Sequence, residues 1–198
     1  MSTIGVVALQ GAVSEHLAML VRLGADVREV RTPQDLAGLD GLVLPGGEST
    51  AMARSASRVG LFEAVGQSRE RGLPVLGTCA GLVLLAEEVV GGEALQGWGT
   101  VGGLNVTARR NAFGGQLASF TEDLHVEGLA ERFPAVFIRA PQVVQVGPGV
   151  EVLARTAAGA VVAVRQGRLW ATSFHPELTG DDRLHRLFLS NCSRSEAA

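Results

Sequence analysis

The chain has 198 residues and a formal charge of −3, with 17 basic residues against 20 acidic ones. That length suits one domain spanning residues 1–198, with a core large enough to need no disulfide framework and no structural metal. The apolar share of 46% argues against disorder, and the lack of a basic block argues against nucleic acid or an anionic membrane as partner.

Composition excludes further chemistry. Every basic residue is Arg, so the chain has no lysine for a Schiff base, a nucleophile or a phosphate-binding P-loop. Its two cysteines, Cys79 and Cys192, make no disulfide framework, and no Cys/His cluster has zinc spacing. No metal and no cofactor is expected. The start MSTIGVVALQ has no basic region typical of a secretory leader, and the apolar stretch 72–86 is too short to span a bilayer. A cytoplasmic location is the expectation.

In chain order, residues 4–9 read as a buried strand and 12–23 as a helix ended by Gly24. Residues 27–30 and 41–44 read as strands, 61–71 as a helix, 74–76 as a strand and 82–90 as a helix. This alternation predicts a parallel sheet with right-handed crossovers. The second half changes character. Short strands are expected over 104–108, 116–120, 135–139, 150–155, 160–165 and 169–174, then a helix over 181–189. The expected fold is three-layer α/β and flavodoxin-like, its mixed sheet mostly parallel and extended by antiparallel strands in the second half.

The sharpest local feature is Gly77-Thr78-Cys79-Ala80-Gly81 between a strand and an apolar helix. A strand-to-helix reversal in so few residues strains its central residue, and small neighbours leave room for it. Cys79 would then sit at the carboxyl end of the sheet and at a helix N-terminus, which favours its thiolate. The Ala80 amide would face an oxyanion formed there. Cys192 has no such context and reads as structural or incidental.

His175-Pro176-Glu177 follows the last strand. Proline biases His175 to an extended backbone, and residues two apart on an extended chain share a side. Glu177 can therefore orient one imidazole nitrogen while the other faces outward, as a nucleophile's base requires. His16, His125 and His185 fall in helix or loop patterns without such partners. Leu44-Pro45-Gly46-Gly47-Glu48-Ser49-Thr50 ends another buried strand, where Ser49 or Thr50 can cap a helix. Its glycine amides would lie beside the elbow if the two strands are neighbours.

Together these segments resemble the class I, triad-type glutamine amidotransferases. Gln10-Gly11, Glu15-His16, the 44–50 segment, Arg110-Asn111 with Phe113-Gly114 and Gln116, Phe137-Ile138-Arg139-Ala140-Pro141 and Ser173-Phe174-His175-Pro176-Glu177-Leu178 narrow the resemblance. They are similar to the family of glutaminase subunits of pyridoxal 5′-phosphate synthase. Gly115 departs from that family, which usually has Arg there.

The resemblance implies hydrolysis of L-glutamine to glutamate and ammonia, with ammonia passed to a separate (β/α)8-barrel synthase subunit. It implies Cys79 as nucleophile, His175 as base and Glu177 as its orienter. It implies Gly47 and Ala80 as oxyanion donors. Gly47, Glu48, Ser49, Arg110, Ile138 and Arg139 would bind L-glutamine. The absence of lysine fits independently, since synthase chemistry through lysine imines is closed to this chain. Three rival readings remain: another class I glutaminase subunit, such as that of histidine biosynthesis; an intracellular cysteine peptidase or chaperone with the same elbow; and a non-catalytic flavodoxin-like interaction domain. The 44–50 and 137–141 segments count against the first, the His-x-Glu after the last strand, far from Cys79 in sequence, counts against the second, and the intact Cys79, His175 and Glu177 count against the third.

Overall fold

The computed structural model describes residues 2–112 and 119–192. Its elements are β1 (Thr3–Val7), α1 (Val13–Arg22), β2 (Asp26–Val30), β3 (Gly41–Leu44), α2 (Ser49–Ser57), α3 (Leu61–Glu70), β4 (Val75–Thr78) and α4 (Ala80–Leu85). There follow β5 (Ala86–Val90), β6 (Leu104–Arg109), β7 (Ser119–Leu124), β8 (Phe133–Ile138), β9 (Gln142–Val146), β10 (Glu151–Arg155), β11 (Val161–Gln166), β12 (Leu169–Thr172) and α5 (Arg183–Cys192).

Among the described residues, ten strands form one sheet in the order β2-β1-β3-β4-β12-β11-β9-β6-β5, with β10 also on β11. The strands from β2 to β12 are mutually parallel, and β11 turns the sheet antiparallel. This is the expected α/β mixed sheet with an antiparallel extension. β7 and β8 pair separately as a two-stranded ribbon.

The near-continuous apolar runs of β1, β3 and β4 follow from burial on both faces. In β3, Leu42 and Leu44 join the core shared with α2, α3 and α4, while Val43 joins the core shared with α1 and α5. The two-residue alternation of a strand thus supplies both cores of a three-layer domain. The sheet end where β3 and β4 terminate carries the two glycine-rich segments.

Three expectations are corrected. Residues 82–90 are not one helix: α4 ends at Leu85 and β5 begins at Ala86. Val89 and Val90 are β-branched, and their parallel pairing with β6 wins over helix continuation. β9, bounded by Pro141 and Gly147, was not anticipated, although those two residues punctuate a strand-length segment. The strand expected at 116–120 is described from Ser119 onward and runs to Leu124, while residues 116–118 lie outside the described residues.

Candidate active site

β4 ends at Thr78 with β3 on one side and β12 on the other: Leu44 is paired with Gly77, and Thr172 with Thr78. The Cys79 amide continues this ladder by donating to the Thr172 carbonyl at 2.8 Å. Cys79 itself has φ 48 and ψ −100, a conformation that non-glycine residues rarely adopt. The strain inferred from the turn is therefore present. It persists because close packing fixes both sides. A Cβ on Gly77 would lie 2.7 Å from the Gly81 carbonyl, and one on Gly81 would run into the Leu44 carbonyl oxygen.

His175 enters from the end of β12, its amide donating to the Val136 carbonyl of β8 at 2.8 Å. Its Nδ1 lies 2.7 Å from Glu177 Oε1. The two meet as expected, but by a different route. Residues Pro176–Leu178 form a 3₁₀ turn, and that turn swings Glu177 back under the ring. Cys79, His175 and Glu177 are each at most 7% exposed, which keeps their interactions unscreened. Burial alone would lower the His175 pKa. Hydrogen bonds and charge interactions with Cys79 and Glu177 outweigh it and push it up to about 10. The ring is thus poised to hold the proton of a Cys79 thiolate. Gly46 also lies against this ring: a Cβ there would strike His175 Cε1 and lie 2.7 Å from Nδ1.

The glycine loop after β3 lies beside the elbow, as adjacent parallel strands require. The Gly46 carbonyl accepts from the Ala12 amide at 3.0 Å, and Gly11, at φ 99, passes so close that any Cβ would collide with that oxygen. The Gly46–Gly47 peptide is trans, so its N–H points away from Ala12. Glu48, not Ser49 or Thr50, caps α2, accepting from the Thr50 amide at 3.1 Å and the Ala51 amide at 2.7 Å. Burial would raise its pKa, but these amides and Arg110 lower it on balance. Arg110 Nη2 reaches Glu48 Oε1 at 3.2 Å.

These groups surround a cleft of about 320 Å³ above Cys79. Gly47, Glu48, Ser49, Ala80, Arg110, Ile138, Arg139 and His175 all line it. Every candidate catalytic, oxyanion and glutamine-binding residue is thereby brought to one cavity except Glu177, which sits behind His175. Phe113, Gly114, Gly115 and Gln116 lie outside the described residues. Ile138 contributes its carbonyl, 3.9 Å from Cys79 Sγ, and Arg139 follows in the left-handed region at φ 47. Phe137 packs edge-on to Phe174 with centroids 5.7 Å apart, tying this ribbon to the segment that carries His175.

Sequence reasoning gave no site role to several residues of this region, among them Val83, Asn111 and Pro141, which also line the cleft. Gln10 lines the cleft and accepts from the Glu48 amide at 2.7 Å. Its place directly after β1, at the carboxyl end of the sheet, was a usable signal. Thr78, His16 and His185 form a buried cluster behind the triad, which corrects the reading that His16 and His185 lack partners. His16 falls on the same face of α1 as Leu20, so its burial was legible, although its partners were not.

A buried Cys–His–Glu arrangement at a strand–helix elbow on an open α/β sheet defines a class of cysteine-dependent amide-cleaving enzymes. The chain matches the SNO glutamine amidotransferase family over residues 6–194 and belongs to that family. It is 54% identical over 191 residues to a pyridoxal 5′-phosphate synthase subunit PdxT of Nocardioides sp., covering 94% of each chain. It is 53% identical over 188 residues to the protein of that name in Deinococcus radiodurans, covering 94% of this chain and 95% of the relative. A crystal structure of a glutamine amidotransferase superposes with a TM-score of 0.89 at 49% identity, covering 96% of this chain and 98% of the other.

Proposed function

We propose that this chain is the glutaminase subunit of a pyridoxal 5′-phosphate synthase, in which Cys79, His175 and Glu177 hydrolyse L-glutamine and the ammonia goes to a (β/α)8-barrel synthase subunit. The observation that carries this reading is the convergence of Cys79, His175 and the glutamine-binding candidates on one cleft. Names of relatives at about half identity over nearly the full chain support the same activity.

The mechanism follows from the geometry. His175 takes the Cys79 proton, and Glu177, on Nδ1, stabilises the resulting imidazolium. The thiolate attacks the side-chain amide carbon of glutamine, and the new oxyanion is met by the Gly47 and Ala80 amides. His175 returns the proton to the leaving nitrogen, so ammonia departs and a glutamyl thioester remains. Water, deprotonated by His175, attacks that thioester; glutamate leaves and the thiol is restored. Glu48, Ser49, Arg110, Ile138 and Arg139 hold the α-amino and α-carboxylate groups.

The whole chain acts as one catalytic domain with no metal and no bound cofactor of its own. Ammonia released to bulk water would be protonated and lost to the synthesis, so the chain works docked to its synthase. No helix among the described residues is long and apolar enough to cross a membrane. A cytoplasmic location, with no nucleic acid and no membrane as partner, completes the reading. The test is ammonia release from L-glutamine, measured with and without the synthase subunit. Turnover by the mixture, lost on Cys79→Ala, supports the proposal; no ammonia from the mixture overturns it.

A further inference from the structure

Behind Glu177, outside the residues that line the cleft, the polar chain does not stop. His16 on α1 and His185 on α5 are both fully buried. His16 Nδ1 lies 2.9 Å from His185 Nε2, and His16 Nε2 lies 3.1 Å from Thr78 Oγ1. The same Nε2 lies 3.4 Å from Glu177 Oε2, the oxygen that His175 does not use. Glu177 Oε2 accepts no fully aligned hydrogen bond among the described residues, so this N–H is the donor positioned to serve it. Cys79, His175, Glu177, His16 and His185 therefore form one line, which runs from the cleft to the helices on one face of the sheet.

The protons on this line are fixed by elementary rules. Burial first, then His185 and His175, holds the His16 pKa well below its ordinary value. Burial also pulls His185 down to about 4, with Asp182 opposing and Arg22 adding to the effect. Both rings are therefore neutral at pH 7, with one N–H each. A carboxylate only accepts, so a lone pair on His16 Nε2 would face a lone pair of Glu177. The Thr78 hydroxyl, 3.1 Å from Nε2, can donate or accept, so the carboxylate decides: the proton is on Nε2, shared between Thr78 Oγ1 and Glu177 Oε2 at 3.4 Å. His16 Nδ1 is then an acceptor, and His185 donates to it from Nε2. His185 Nδ1 is left with only a lone pair, and that atom has no hydrogen-bond partner among the described residues.

We propose that His16 is a positioning residue for the triad, its neutral Nε2–H holding the outer oxygen of Glu177 while His185 selects the tautomer that makes this possible. This rests on the glutaminase reading above. The torsion of a glutamate carboxylate is broad, so a single bond to His175 does not fix its plane. A second donor on Oε2 keeps Oε1 aimed at His175 Nδ1 through both half-reactions. A neutral donor suits the task better than a charged one. An imidazolium at His16 would draw the Glu177 charge away from His175 at the moment it must stabilise that ring.

The test compares His16→Gln with His16→Asn in the complex with the synthase subunit. Glutamine places an amide N–H near the former Nε2, whereas asparagine places it near the former Nδ1. Glutamine turnover should fall about tenfold or more in kcat for His16→Asn with KM little changed, and His16→Gln should recover most of the loss. Equal kcat in the two variants, at any level, overturns the proposal. A second measurement uses the unmodified chain, so it holds even if both variants fail to fold. Nitrogen-15 NMR of the histidine rings at pH 7 should show His16 neutral with its proton on Nε2. A proton on Nδ1, or an imidazolium, overturns the proposal. That spectrum does not depend on glutamine. A complex that releases no ammonia would break the glutaminase reading, and the spectrum would still decide the role of His16.

Discussion

Cys79 and Cys192 are equally buried, at 7% exposure each, yet the two ends of the sheet treat them in opposite ways. Cys79 sits in a strained turn between a strand and a helix, with a paired imidazole beside it and a cleft above. Cys192 ends α5, where a Cβ on Gly41 would lie 2.6 Å from its sulfur and Ile4 and Phe188 crowd the same spot. There burial, helped by Asp40 and opposed by Arg168, pushes the thiol pKa up to about 12. Burial by itself therefore does not make a thiol inert. What separates the two is whether the fold places a proton acceptor and oriented amides next to the sulfur.

The largest effect should come from exchanging the sulfurs themselves. Cys79→Ser should lower glutamine turnover by about 10⁴-fold or more, while Cys192→Ser leaves it unchanged. Alkylation by a glutamine-like electrophile should mark Cys79 alone; mass spectrometry placing the label on Cys192 would break the comparison. Next come the partners that only one cysteine has. His175→Asn should cost about 10²–10⁴-fold in kcat with glutamine affinity nearly unchanged, and Glu177→Gln should cost less. Steady-state kinetics giving equal losses would mean that Glu177 does more than orient and stabilise the ring.

The glycines beside each sulfur sharpen the contrast. Gly46→Ala drives a methyl into the His175 ring, so kcat should drop by about 10²-fold while the melting temperature changes little. Gly41→Ala drives one against Cys192, and should instead cost about 1–3 kcal/mol of stability with turnover per folded molecule intact. Denaturant melts alongside kinetics separate the two; a Gly41→Ala chain that is fully stable but slow would refute the division.

The smallest effect is in pH. The His175 pKa is raised from 6.5 to about 10, so the stability it contributes is complete below pH 6.5 and lost as the pH rises toward 10. The Cys192 pKa is raised from 9.0 to about 12, so its contribution is complete below pH 9.0 and lost only above that. Melting curves against pH should therefore show His175→Asn flattening the decline between pH 7 and 9, and Cys192→Ser flattening only the part above pH 9. The reverse assignment would show that the two ends are not electrostatically distinct.

The sequence by itself determined the parallel half of the sheet, since strands buried on both faces must be apolar throughout and helices between them must be amphipathic. It also determined the elbow, because only small residues permit so abrupt a reversal around Cys79. The His175–Glu177 pair was legible from spacing, although a 3₁₀ turn and not an extended chain brings the two groups together. Tertiary structure alone decided that α4 stops at Leu85, because β6 offers Ala86–Val90 a strand to pair with. It alone decided that Glu48, the local cap of α2, also holds Arg110, 62 positions away. It alone joined His16 to His185 across 169 positions, behind Glu177. Local pattern records which face a residue presents. It does not record which other element is packed against that face, and hydrogen bonds among buried polar groups are made between elements.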